Sequence, residues 1–478
     1  MEMNKVSQYV REQIRTHIGI CYTADALDCF DQAVLIFLPL KEIEGLTSPC
    51  VAFPTDIENE LEPNDITSLR FNGTSYTLYN KIQRPSDSWE ELCLDGVPIW
   101  YRNQIGVIMP AWNHFHNIVD LFSFRAERDN DMRDQHQRLV SEDNPYLAAG
   151  LGKVPVFNEF INILLACLLG KKYGIHLFSD ISSWVRPIKV VLSHDCDVLL
   201  GHDRWSQIGR ISRMIKGLLK GDFYKLTYPL WIVYNFFNPR KFYMNNVYAM
   251  IDLERQFGFT SILYILNGVG GRFGFRNNFS AVKELIKNIP ENWDVGLHYN
   301  YDTLLDDTSF LRQKNELQNA LGRKVFSGRA HYLKFDPLRS FQQLETHGLR
   351  FDESLGIAES NGFRLGVAGV FYPLLMQVKR ASSVLALPLQ FWDSHLDSEQ
   401  KITDFEDSLK HLSKIGGVVS LLFHPGQFYN MEDPKMDGVY YRALKALQEV
   451  QAESVSPNVL IQQASNFSAG VQAFEQQH

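Results

Sequence analysis

Ile188-Lys189-Val190-Val191-Leu192-Ser193-His194-Asp195-Cys196-Asp197 is the stretch on which the fold turns. Its first half is apolar and β-branched, the composition of a strand covered on both faces. Its second half ends in two acids and a histidine. Side chains alternate along an extended chain, so Asp195 and Asp197 share one face while His194 and Cys196 share the other. Burying two carboxylates this close is costly unless a cation or a shared proton offsets their repulsion. A parallel strand whose carboxyl end carries acids is expected to form one wall of a metal or acid–base site.

Three later segments end the same way. Trp293–Leu297 runs into His298, Asn300 and Asp302; Lys324–Gly328 runs into Arg329 and His331; Gly417–Phe423 runs into His424-Pro425-Gly426. One histidine after a strand is ordinarily a hydrogen-bonded core or surface residue. Four strand ends carrying Asp, Asp, His, Asp, His and His point to one shared site. From Asn246 onward the chain alternates helix and strand. Helices are expected over 247–256, 279–288, 304–320, 337–347 and 398–415, and strands over 260–266, 295–298, 325–327, near 364–370, and over 417–423. This rhythm predicts a parallel sheet or barrel with right-handed crossovers, whose sites gather at the carboxyl ends of the strands.

The chain has 478 residues, 45% of them hydrophobic, enough for two or three domains with real cores. A net charge of −8 gives no electrostatic reason to expect nucleic acid as a partner. Six scattered cysteines without a Cys-x-x-Cys pair fit a reducing compartment. The polar start lacks a basic stretch followed by an apolar one, and no apolar run reaches the ~18 residues a membrane span needs, so the expected location is the cytoplasm.

Residues 1–180 are expected to form a smaller α+β N-terminal domain: an amphipathic helix over 4–17, strands over 33–38 and 96–101, and helices over 120–128 and 156–169. The polar stretch 129–142, with Arg133, Asp134, His136 and Arg138, reads as a solvated loop or surface helix in preference to a ligand surface. Residues 187–445 form the α/β domain, and 446–478 a C-terminal tail. Residues 203–246 are a basic, aromatic insertion after the first acidic strand end. They are either a helical pair packed on the domain or an interfacial segment in peripheral contact with a membrane surface or a lipid-linked substrate.

At these residues the sequence resembles the polysaccharide deacetylase (NodB-type, carbohydrate esterase) superfamily, and more closely a bacterial subgroup with an N-terminal domain of unknown role. Ser193–Asp197 is similar to the first motif of that family, Gly296–Tyr301 to the second, Arg329-Ala330-His331-Tyr332 to the third, Leu387-Pro388-Leu389 with Trp392-Asp393 to the fourth, and Leu421–Pro425 to the last. Phe351–Gly356, Gly362–Gly366 and Phe371-Tyr372-Pro373 resemble the signature of the subgroup. The resemblance covers most of residues 105–430. It implies a distorted (β/α) barrel and hydrolysis of an N-acyl group on a sugar of a polysaccharide or glycolipid precursor, with a divalent metal, foremost zinc. It implies Asp195 as base, Asp197 and His298 as metal ligands, His424 as acid, Arg329 as orienter of an acid, and Asp393 as a group holding Arg329 or His424. Tyr299, Tyr332 and Trp392 are candidates to stack on the sugar.

The sequence departs from the family pattern in three places. Cys196 splits the usual adjacent acids, which leaves open which aspartate binds metal. Asp302 stands where a second histidine is usual and offers an oxygen ligand instead. His331 stands where proline is usual and offers a nitrogen ligand. A catalytically inactive glycan-binding or scaffolding protein on the same fold is the alternative these departures leave.

Overall fold

A computed structural model describes residues 3–468 apart from 58–62, 129–132, 174–177, 200–203, 220, 222–229, 231–232, 234–241, 268–276, 278, 305 and 429–435. The Lys189–Cys196 strand is buried at every position. It pairs in parallel with Ser261–Leu266 on one side and Val418–Leu422 on the other. Beyond Ser261–Leu266 follow Asp294–Tyr299, Ser327–Ala330, Phe351–Asp352 and Leu385–Ala386; beyond Val418–Leu422 comes Phe391–Trp392. All these pairings are parallel. The two edge strands, Leu385–Ala386 and Phe391–Trp392, are separated only by residues 387–390. One extended segment thus supplies both edges, and the sheet curls back on itself into a distorted, incompletely paired barrel.

Parallel neighbours need long crossovers. Phe242–Phe257, Phe279–Asn288, Asp307–Leu321, Pro337–Thr346 and Glu399–Ile415 supply them as helices. The last starts where the Ser398 side chain accepts from the Lys401 amide, and it buries Ile402, Phe405, Leu409, Leu412 and Ile415, one helical face. Each such large side chain stabilises the fold by about 1.5–3 kcal/mol. The expected strand near 364–370 is not formed. The segment turns at Gly362 (φ 151°) and Gly366 (φ 61°), and the amide and carbonyl of Ala368 are taken by the side chain of Asn158. Its backbone groups are satisfied without a ladder, so strand-like composition does not become strand.

The stretch after 446 is built into the fold as far as residue 468. Glu453–Ser454 pairs with Lys189–Val190, and Pro457–Phe467 packs on the N-terminal helix Met3–Cys21. The N-terminal portion carries a five-stranded mixed sheet in the order Leu35–Leu38, Val51–Pro54, Ile108–Pro110, Val97–Arg102, Glu90–Leu94. The helix expected over 120–128 is two pieces, His114–Phe122 and Arg125–Arg128, interrupted at Phe124 with φ 56°. Tyr9 donates to the Tyr372 carbonyl at 2.7 Å, and one contiguous cluster of buried apolar side chains runs through both portions.

In the insertion, Arg204–Leu219 is a helix with Ile211, Ile215 and Leu219 exposed. The apolar run 226–237 lies outside the described residues, apart from Leu230 and Val233. No helix among the described residues is long and apolar enough to cross a membrane.

Candidate metal centre

The carboxyl ends of the first, third and fourth barrel strands converge. Asp197 Oδ1 lies 3.1 Å from His298 Nε2 and 3.7 Å from His331 Nε2. One ligand atom from each of the three lies within 4.8 Å of the others. His298 Nδ1 faces the Arg329 carbonyl at 3.0 Å. A carbonyl only accepts, so Nδ1 donates to it and Nε2 is the nitrogen presented to Asp197. Asp197 Oδ1 is buried yet accepts no hydrogen bond of acceptable geometry. A carboxylate oxygen this close to two imidazole nitrogens is a donor set that can hold a cation. Two imidazoles and one carboxylate suit a borderline divalent ion with positions left open for water or substrate.

Asp195 is buried beside this cluster. Its Oδ1 accepts from Arg329 Nη1 at 2.8 Å, and its Oδ2 is 3.6 Å from His298 Nε2. Burial pushes the Asp195 carboxyl up, but the Arg329 guanidinium and His298 outweigh it and hold it below the usual carboxylate range. Burial likewise opposes the charge of Asp197, and His331 and His298 overcome it, leaving Asp197 well below that range. Arg329 is fully buried; it donates to Ser193 Oγ at 2.8 Å, sits 3.3 Å from Glu353 Oε1, and lies over the Tyr264 ring at 4.6 Å. Glu353 accepts from Ser420 Oγ at 2.6 Å and from the Tyr264 hydroxyl. This charged knot is complete within the barrel. Sequence reasoning missed Glu353, Ser193, Ser420 and Tyr264; the acid pair Asp352-Glu353 after a short apolar stretch was the signal at hand.

Just past the Val418–Leu422 strand, His424 Nδ1 is 2.9 Å from Asp393 Oδ1, and the His424 amide donates to Asp393 Oδ2 at 2.6 Å. Burial lowers the His424 pKa, but Asp393, with help from Asp197 and Asp195, pushes it up to about 10. The imidazole is charged at neutral pH. Asp393 thus holds His424, whereas Arg329 belongs to Asp195 and Glu353.

Two of the expected residues are corrected by the structure. Asp302 is exposed and outside the ligand cluster. The Asn300 side chain accepts from the Tyr301 amide and starts a 3₁₀ turn over Tyr301–Thr303, which carries Asp302 to solvent. Tyr299 does not face the site: it alternates with His298, is buried beside Phe310, and its hydroxyl is engaged by Asp352 Oδ2 and Ser354 Oγ, both at 2.8 Å. Trp392 is half-buried against Leu333, Leu389 and Leu422, a small apolar cluster set apart from the main core. Tyr332 is half-buried at the rim, stacked on His136 at 4.8 Å. The stretch 129–142, expected to be solvated, therefore sends one buried ring to the edge of the site. His331 is followed by two residues in the left-handed region, Tyr332 at φ 61° and Leu333 at φ 53°. Each costs of order 1–3 kcal/mol and persists where the surroundings enforce it. His194 points away, between the Phe423 carbonyl at 2.8 Å and Glu254 at 2.6 Å, and the Cys196 thiol is buried, with its pKa pushed up by burial.

No family model matches the chain, and no curated protein matches it. Solved structures do. A protein of Mycobacterium smegmatis described as a polysaccharide deacetylase aligns at 11% identity and a TM-score of 0.37, over 61% of this chain and 92% of that one. An allantoinase, PuuE, aligns at 9% identity and 0.38, over 59% and 91%. A polysaccharide deacetylase of Bacillus cereus aligns at 12% and 0.29, over 57% and 94%. The chain is thus similar to structures of polysaccharide deacetylases. At identities and TM-scores this low, the case for chemistry stays with its own side chains.

Proposed function

We propose that this protein is a metal-dependent hydrolase that removes an N-acyl group, acetyl foremost, from a sugar in a polysaccharide or glycolipid precursor. The observation that carries the reading is the convergence of Asp197, His298 and His331 on one point, with Asp195 beside them. A divalent ion held there, zinc foremost, supplies carbonyl polarisation and a water of lowered pKa. Asp195 is fixed by Arg329, with Oδ2 turned toward the cluster, and takes a proton from the attacking water. His424, kept charged by Asp393, gives a proton to the leaving amine nitrogen. The half-buried Trp392, packed on Leu333, Leu389 and Leu422, offers an apolar surface for the acyl methyl. His331 supplies the second imidazole whose absence at position 302 favoured an inactive protein.

The test is bound-metal analysis of the purified protein together with acetate release from N-acetylhexosamine oligomers. Asp197→Ala is expected to lose both metal and activity, and Asp302→Ala to keep both. Metal-free protein, with Asp197→Ala equal to wild type in acetate release, overturns the reading.

A further inference from the structure

A cleft of about 680 Å³, which the reaction centre does not use, lies between the N-terminal portion and the barrel. One wall is Ser75 and Thr77 with the loop 147–155; the other is the 357–363 loop, Phe391, His395 and the exposed side of the Glu399–Ile415 helix. Its volume is that of a ligand site holding a few rings.

Most of the ionised groups along it are paired, and the two without an ion pair among the described residues, Lys153 and Asp404, carry opposite charge. Glu159 is 2.8 Å from His411, Lys401 is 2.8 Å from Asp397, and Asp407 is 3.0 Å from Lys410. What faces the space is hydroxyls, the Asn361 amide, the single opposite charges of Lys153 and Asp404, and apolar surface from Leu147 and Val154, with the edges of Phe363, Phe391 and Phe405 behind it. Such a lining matches a ligand with many hydroxyls and an apolar ring face, and offers no cluster of unengaged charge for a phosphate or a cation.

The cleft also adjoins the reaction centre. The Trp392 and His395 rings meet edge-on at 4.8 Å, Trp392 on the side of Leu333, Leu389 and Leu422, and His395 in the cleft wall. The Trp392 amide donates to Asn361 Oδ1 at 3.0 Å, and Asn361 Nδ2 donates to the His395 carbonyl at 3.2 Å. The turn that carries Asp393 is thereby tied to the cleft wall.

We propose that this cleft is a second, non-catalytic binding site for a neutral oligosaccharide, holding sugar units of the substrate chain away from the one that reacts. The role in sugar hydrolysis rests on the function proposed above; the binding does not. The N-terminal portion then contributes one of the two walls that grip the glycan.

The experiment measures binding of neutral oligomers of N-acetylglucosamine, one to six units long, to the full chain by calorimetry. Ser408→Trp and Ser75→Trp fill the cleft from opposite walls, and both positions are on elements whose cores they leave intact. Expected are affinity that rises with oligomer length, a loss of about tenfold or more in each Trp variant, and binding to Asp197→Ala that still rises with length. If Asp197→Ala binds but releases no acetate, and wild type releases none either, the hydrolase reading fails while the cleft stands. Affinity independent of length, binding untouched by both Trp variants, or preference for phosphorylated over neutral sugars overturns the proposal.

Discussion

Two ionic contacts at the scale of single residues carry opposite consequences for pH. His424 sits against Asp393, and its pKa of about 10 keeps it an acid throughout the neutral range. Its ordinary value is about 6.5. A raised folded-state pKa contributes stability that is fully present below the unfolded value and is lost as pH rises through 10. Asp393→Asn removes the charge that raises it. The imidazole is then expected to titrate near neutrality, and the alkaline limb of kcat to move down by more than one pH unit. A titration of the His424 ring by NMR checks this, and an unmoved pKa would rule out Asp393 as the cause. Arg329 is the reverse case. It sits with no exposed surface between Asp195 and Glu353. Arg329→Met leaves two carboxylates buried without their cation, and breaking a buried pair from one side costs about 3–5 kcal/mol. Both carboxyls then shift upward, so the deficit is largest at neutral pH and shrinks as acid protonates them. Urea unfolding at pH 7 and pH 5 reads the difference, and an equal loss at both would mean that packing, rather than charge, dominates.

At the scale of elements, close approach decides what a strand tolerates. Gly296 lies in the Asp294–Tyr299 strand, where an added Cβ would meet the Tyr264 ring at 2.5 Å and Ser327 Oγ at 2.8 Å. The same ring lies under Arg329 and donates its hydroxyl to Glu353. Gly296→Ala is therefore expected to destabilise by about 1–3 kcal/mol, as overpacking does, and to weaken metal binding by displacing the Arg329 knot. A urea midpoint equal to wild type would show that Tyr264 yields freely. Elements also mark how far the sequence could be read. The strands that lead to Asp195, His298 and His424 are five to eight residues long, enough for apolar composition to betray them; Ser327–Ala330 has no β-branched residue, and the expected strand over 325–327 ends where it begins. Phe351–Asp352, Leu385–Ala386 and Phe391–Trp392 are two residues each. They carry no period and exist only because neighbours pair with them. Asp302 was misplaced for a local reason of the same kind, because the Asn300 side chain ends the extended geometry one residue after Tyr299. Glu353 and Ser193 reach Arg329 only through tertiary contact, which spacing does not encode.

At the scale of the whole molecule, the N-terminal portion and the barrel are held by more than adjacency. Glu127 and Arg364 form a two-pronged ion pair at 2.9 and 2.6 Å, with both side chains buried, 237 residues apart in the chain. Asn158 donates across the same boundary to the carbonyls of Ala368 and Gly416, each at 2.9 Å. The Lys189 ammonium, on the first barrel strand, donates to the Ile20 carbonyl at 2.6 Å. With one apolar cluster running through both portions, opening either exposes the core of the other. Unfolding is therefore expected as one transition, in which the fluorescence of Trp100 and Trp293, one tryptophan from each portion, and the far-ultraviolet dichroism change together. Glu127→Ala strands a buried guanidinium and is expected to cost about 3–5 kcal/mol over that single transition. Arg364→Met with Glu127→Leu, which removes both charges, is expected to recover most of that loss, because a well-packed apolar pair can replace a buried ion pair at little cost. Two separate midpoints in wild type would show that the portions are independent, and the ion pair would then be a local clasp rather than part of one cooperative core.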